Sequence, residues 1–163
     1  MGKNKKVIVY FSYTGHTKQL AEKIKEKIDC DMVEINPVKP YSPDYDTVVS
    51  EEQNNASSDK TPEIEKTGLD LSKYDEIILG TPVWWYSIAP VIRTFLKEND
   101  LTGKTIIPFA TNAGWLGQTF QEIKKLCPNS IVEKEMNIVF TTDYQENKLV
   151  TSEEEINEWM SQL

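Results

Sequence analysis

Two hydrophobic periods alternate along this chain. Val7-Ile8-Val9-Tyr10-Phe11 is a continuous apolar run, the pattern of a short strand buried on both faces. Leu20, Ala21, Ile24 and Ile28 then recur at helical spacing. Together they predict a strand over 5–11 and a helix over 17–28. Met32, Val33 and Ile35 mark a second strand over 31–36, and Glu76-Ile77-Ile78-Leu79 a third over 75–80. A helix follows over 88–97, where Pro90 is tolerated in the first turn. The remaining pattern predicts a strand over 104–110, a helix over 117–126 and a fifth strand over 131–140. Ser152 and Glu155 form a Ser-x-x-Glu capping box at the start of a closing helix, whose packing face is Ile156, Trp159 and Met160.

Strands alternating with helices require right-handed crossovers, hence an α/β domain with a parallel sheet between two helical layers. One domain over 1–163 is the simplest division, because a chain of 163 residues buries a sizeable core without staples. Neither an internal repeat nor a heptad run interrupts the pattern. The segment 37–66 breaks the alternation with prolines and a polar run from Glu51 to Lys60. It is expected to hold an irregular helix or a long loop, either a functional lid or a plain surface excursion.

Charge and cysteine content narrow the function classes. A formal net charge of −8 argues against nucleic acid, whose phosphates need clustered Lys and Arg. No apolar run approaches the roughly 18 residues of a membrane span. The basic N-terminus precedes an apolar run that ends by Phe11, too short for a signal-peptide core. Lys6 stands where a myristoylation motif after Gly2 would need Ser or Thr. Cys30 and Cys127 lie far apart, as expected for two reduced thiols and not a disulfide. A single histidine leaves a protein-only zinc site almost nothing to use, so no metal is expected. Cytoplasm is the default expectation.

The loops after the first, third and fourth strands carry the chemistry, since ligands of such sheets bind beyond the carboxyl ends of the strands. After the first strand comes Ser12-Tyr13-Thr14-Gly15-His16-Thr17. Three hydroxyls, a glycine and the positive end of a helix converge there as an anion trap. The turn lacks both the Gly-Lys-Ser/Thr ending of a triphosphate loop and the three glycines of a dinucleotide fingerprint. It suits one compact phosphate monoester held by neutral donors. The bland alternative is a helix N-cap, which needs one hydroxyl and not three. Thr81-Pro82-Val83-Trp84-Trp85-Tyr86 offers aromatic faces after the third strand. Three large aromatics in a row cannot all face inward on one strand. In the third loop, Thr111-Asn112-Ala113-Gly114-Trp115-Leu116-Gly117, small residues leave backbone open to a flat ligand. Cys30, Cys127 and Trp159 read as packing residues. No Ser/His/Asp set, paired carboxylates or Cys/His pair is evident, so no residue is assigned a catalytic role.

A phosphate site beside aromatic planes describes a ligand with a phosphorylated stem and a flat ring. The chain resembles the flavodoxin family in Ser-x-Thr-Gly-x-Thr over 12–17, in Leu79-Gly80-Thr81-Pro82-Val83-Trp84-Trp85, and in Lys104-Thr105-Ile106-Ile107-Pro108-Phe109-Ala110-Thr111. It is most similar to short bacterial flavodoxin-like proteins with a Pro-Tyr segment after strand two, here Pro40-Tyr41. The resemblance implies a three-layer αβα sandwich, a five-stranded parallel sheet of order 2-1-3-4-5, and bound flavin mononucleotide (FMN). It places the phosphate on Ser12, Thr14, Thr17 and the amides of residues 13–17. The ring would lie between residues 82–86, beside Thr81, and the loop Thr111, Asn112, Ala113, Gly114 and Gly117. Three positions depart from the common pattern. His16 stands where asparagine is usual, Tyr86 where glycine is frequent, and Trp115 where a small residue is usual.

With chemistry belonging to the cofactor, the protein supplies orientation and field. One fixed negative charge about 10 Å from the ring, at an effective dielectric of about 20 to 80, opposes reduction by roughly 0.4–1.7 kcal/mol. That lowers a one-electron potential by roughly 20–70 mV per charge. The expected function is a low-potential one-electron carrier between a donor reductase and an acceptor enzyme, acting as a monomer, with no nucleic acid or membrane partner. The alternatives are an FMN-dependent NAD(P)H:quinone-type oxidoreductase, for which no nicotinamide motif is evident, and a flavin-free interaction module on the same fold.

Overall fold

The computed structural model describes residues 5–13, 15–39, 62–84, 87–114, 116–140 and 149–163. The first strand β1 (Lys6–Tyr10) is followed by α1 (His16–Ile28) and β2 (Asp31–Glu34). After a short 3-10 turn come β3 (Glu76–Trp84), β4 (Ser87–Ile88) and α2 (Pro90–Glu98). The chain closes with β5 (Thr105–Asn112), α3 (Thr119–Leu126), β6 (Ile131–Val132), β7 (Met136–Val139) and α4 (Glu153–Met160).

The sheet runs β2-β1-β3-β5-β6, with β7 also on β5 and β4 on β3. Apart from the β3–β4 hairpin, all these pairings are parallel. This is the expected 2-1-3-4-5 order, the fifth strand being divided between β6 and β7. Alternation along β1 sends Val7, Val9 and Phe11 into one core and Ile8 and Tyr10 into the other. The first core is roofed by Val91, Ile92, Phe95 and Leu96 of α2 with Ile123 of α3. The second is roofed by Leu20, Ala21 and Ile24 of α1 with Ile156, Trp159 and Met160 of α4. Each helix spends one apolar stripe on the sheet, which gives the three layers.

Three sequence expectations require correction. The fifth strand is not continuous over 131–140. Ile106 pairs with Val132 and Phe109 with Met136, so residues 133–135 oppose only Ile107 and Pro108. The extra residue is a β-bulge, centred on Lys134 at φ 56°. Its carbonyl accepts the Trp159 indole N–H (2.6 Å), tying the bulge to α4. The third strand, expected over 75–80, continues to Trp84, with Pro82 opposite Thr111. Lastly, β4 returns antiparallel on that extension, pairing Val83 with Ile88 and Trp84 with Ser87.

Local chemistry accounts for the element ends. Pro90 opens α2 at its first turn. Ser152 Oγ accepts the Glu155 amide (3.1 Å) at the start of α4, the Ser half of the expected box. The two ends of the 37–66 segment meet: Val38 donates to Glu63 O and Glu65 to Asn36 O. Residues 40–61, including Pro40-Tyr41, lie outside the described residues. Both cysteines are unbridged. Burial pushes the Cys127 thiol up to about 11, as suits an inert packing residue.

Candidate functional site

The carboxyl ends of β1, β3 and β5 meet at one edge of the sheet. Phe11 donates its N–H to Gly80 O (3.2 Å) as the chain leaves β1 beside β3. The next turn is closed by Gly15 N–H donating to Ser12 Oγ (3.1 Å). That bond uses the serine as acceptor and leaves its O–H proton to donate elsewhere. Gly15 caps α1 at φ 101°, a conformation that strains any residue with a Cβ. The first helical bond runs from Gln19 N–H to Gly15 O (2.9 Å). The amides of Thr17 and Lys18, ahead of that bond, have no acceptor inside the helix. The glycine cap brings no side chain, and no acid occupies the first turn. The positive end of α1 is thus not neutralised by its own sequence.

Thr17 does not point outward with Ser12. It is 1% exposed, and its Oγ1 lies 2.7 Å from Thr111 Oγ1, itself 4% exposed. This buried hydroxyl pair fixes the α1 N-terminus against the end of β5. The His16 ring stacks on Phe140, centroids 4.0 Å apart and planes 3° from parallel. Phe140 in turn donates its N–H to Asn112 O (2.8 Å). Thr14 lies outside the described residues.

The second segment is a β-hairpin, not the loop expected behind a strand ending at Gly80. Thr81 is fully buried. Its hydroxyl donates to Pro82 O (2.8 Å) and accepts the Ala89 N–H (3.1 Å), anchoring the hairpin to the start of α2. The half-buried Trp84 meets Phe11 and Tyr13 edge-on, at 5.6 and 5.7 Å. The hairpin and the first turn therefore share one aromatic cluster. Pro82 and Val83 complete the described part of this wall. Trp85 and Tyr86 lie outside the described residues.

In the third segment, Asn112 Oδ1 accepts the Gly114 N–H (2.8 Å), and its Nδ2 donates to Asn137 Oδ1 (2.6 Å). Ala113 sits inside this Asx turn. Gly114 at φ 114° and Gly117 at φ 59° supply backbone that only glycine adopts easily. Thr119 then closes the start of α3 through its hydroxyl on Leu116 O (2.7 Å). Trp115 lies outside the described residues.

One participant escaped the sequence reading. Asn137 sits at an ordinary outward position of β7, and nothing in the sequence marks it as the clamp on Asn112.

The family model described as flavodoxin matches residues 5–163. The chain belongs to the flavodoxin family. Similar solved structures extend that result. A protein of Bacteroides eggerthii is 29% identical, with a TM-score of 0.77 over 98% of this chain and 97% of its own. A Lactobacillus acidophilus flavoprotein, solved in complex with FMN, is 26% identical, with a TM-score of 0.74 over 83% of this chain and 93% of its own. Oxidised flavodoxin 2 of Bacillus cereus shares the fold at 19% identity, with a TM-score of 0.57 over 96% of this chain and 93% of its own. No curated protein matches the chain. Among the described residues of this flavodoxin-family chain, no helix is long and apolar enough to cross a membrane.

Proposed function

We propose that this flavodoxin-family protein binds FMN and serves as a low-potential one-electron carrier between protein partners in the cytoplasm. The observation that carries the reading is the buried Thr17–Thr111 bond. It sets the unneutralised end of α1 beside the β5 loop, on the edge that also carries the Trp84 hairpin. The donor set fits a phosphate monoester dianion: amide N–H groups, the Ser12 O–H, and no carboxylate in the first turn of α1. The L. acidophilus relative solved with FMN supports the same ligand class.

In this reading Ser12, Tyr13, Thr14, Gly15, His16 and Thr17 hold the phosphate, mainly through their amides. Thr17 contributes its N–H, since its hydroxyl is engaged by Thr111. The ring is gripped between Pro82, Val83, Trp84, Trp85 and Tyr86 on one side and Thr111, Asn112, Ala113, Gly114 and Gly117 on the other. FMN, when bound, supplies reversible one-electron chemistry that no side chain here provides. The chain's contribution is electrostatic and steric. A net charge of −8 disfavours added negative charge at the ring. The Trp84 side of the slot would exclude water from the ring, and a backbone carbonyl of the 82–86 segment would be the acceptor for a ring N–H. Stepwise photoreduction of the FMN-loaded protein is expected to resolve two separated one-electron stages. A single two-electron stage, with NADPH rapidly oxidised by quinone in the absence of any partner, would overturn the carrier reading.

A further inference from the structure

Arg93 is 2% exposed, and its Nε donates to Glu122 Oε1 at 2.6 Å. Its Nη1 is buried with no hydrogen-bond partner among the described residues, as is Ser87 Oγ on β4. The remaining seventeen basic residues of the chain are lysines. A buried guanidinium with one unpaired nitrogen is an expensive thing to keep in a core. A hydrophobic pair of similar volume would serve stability as well or better. The pair therefore calls for an account other than stability, and its position supplies one. Arg93 lies one turn into α2, the helix bolted to the hairpin through Ala89 and Thr81. Glu122 lies in the first turn of α3, the helix that leaves the Asn112 to Gly117 loop through Thr119 and Leu116. Both α2 and β4 pack against α3.

We propose that Arg93 and Glu122 are positioning residues, a strut buried at its arginine end and half-buried at its glutamate end, that sets the distance between the two walls of the ring slot. The inference rests on the FMN reading of that slot. The arginine is the rigid part: its planar fork fixes direction as well as distance, which a lysine ammonium does not. The strut acts on the ring and not on the phosphate, because neither residue belongs to the turn over 12–17.

The test compares wild type, Arg93→Lys, Glu122→Gln and the double apolar variant Arg93→Met/Glu122→Leu. Each is titrated with FMN and with riboflavin by flavin fluorescence, with thermal unfolding and the amide NMR spectrum of the apoprotein recorded alongside. The double variant is expected to melt within a few degrees of wild type. It should bind both flavins about tenfold or more weakly, leaving the FMN-to-riboflavin affinity ratio unchanged. Its Gly114 and Gly117 amide signals should shift in the apoprotein. Glu122→Gln, which keeps an acceptor for Nε, should retain most of the affinity, while Arg93→Lys should not. Wild-type flavin affinity and unmoved glycine signals in the double variant would overturn the proposal, and so would loss of the fold in every variant. A wild type that binds neither flavin would instead contradict the FMN reading, and the glycine signals would still report on the strut.

Discussion

Gly80 shows how closely one residue governs the approach of two strands. It stands beside Phe109 in the β3–β5 register, and a Cβ built there would lie 2.8–2.9 Å from the two ring Cε atoms. Phe109 is fully buried and packs edge-on to Trp159 at 5.9 Å, so the ring has little room to retreat. Overpacking of this kind costs about 1–3 kcal/mol. Gly80→Ala is expected to lose that much in urea unfolding, and markedly less in a Phe109→Leu background. Equal losses in both backgrounds would show that the ring is not the obstacle. Sequence alone places Gly80 at the end of a strand but does not say which side chain fills its missing volume. That side chain comes from a strand about thirty residues away.

Between elements, the Thr17–Thr111 bond joins α1 to β5 in the interior. Thr17→Val or Thr111→Val alone leaves the other hydroxyl buried and unpaired, at a cost of about 1–3 kcal/mol. The double Val variant is expected to recover most of that loss in urea unfolding; additive losses would contradict the pairing. The elements themselves were largely legible. Long apolar runs marked β1, the start of β3 and β5, and helical spacing marked α1 and α4. Two features were hidden for physical reasons. Pro82 discourages a strand assignment because it lacks a donor, yet β3 continues through it to Trp84. The bulge between β6 and β7 has Lys134, not glycine, at positive φ, so no turn residue announced it. In the site, the turn from Ser12 to Gly15 was legible because local chemistry defines it, whereas the inward course of the Thr17 hydroxyl was not. Nor were Asn137 and the Arg93–Glu122 pair, because their roles arise only once distant segments are in contact.

At the scale of the whole molecule, the acidic surface and the convergence of three strand ends act together. The fold brings the open end of α1, the Trp84 hairpin and the glycine-bearing loop to one edge, and the net charge of −8 sets the field there. The acidic surface would also steer basic partner faces, so exchange rates should fall as salt rises. All of this requires that the edge be a two-part receptor, with a dianion held at the helix end and a ring held between the walls. Calorimetric titration of the apoprotein with FMN, and then with riboflavin, tests that most directly. One FMN is expected to bind per chain, with a shift in the visible bands, and riboflavin at least about tenfold more weakly, a difference of ~1.4 kcal/mol or more. Equal affinity for the two flavins would remove the phosphate site, and no binding of either would contradict the account as a whole.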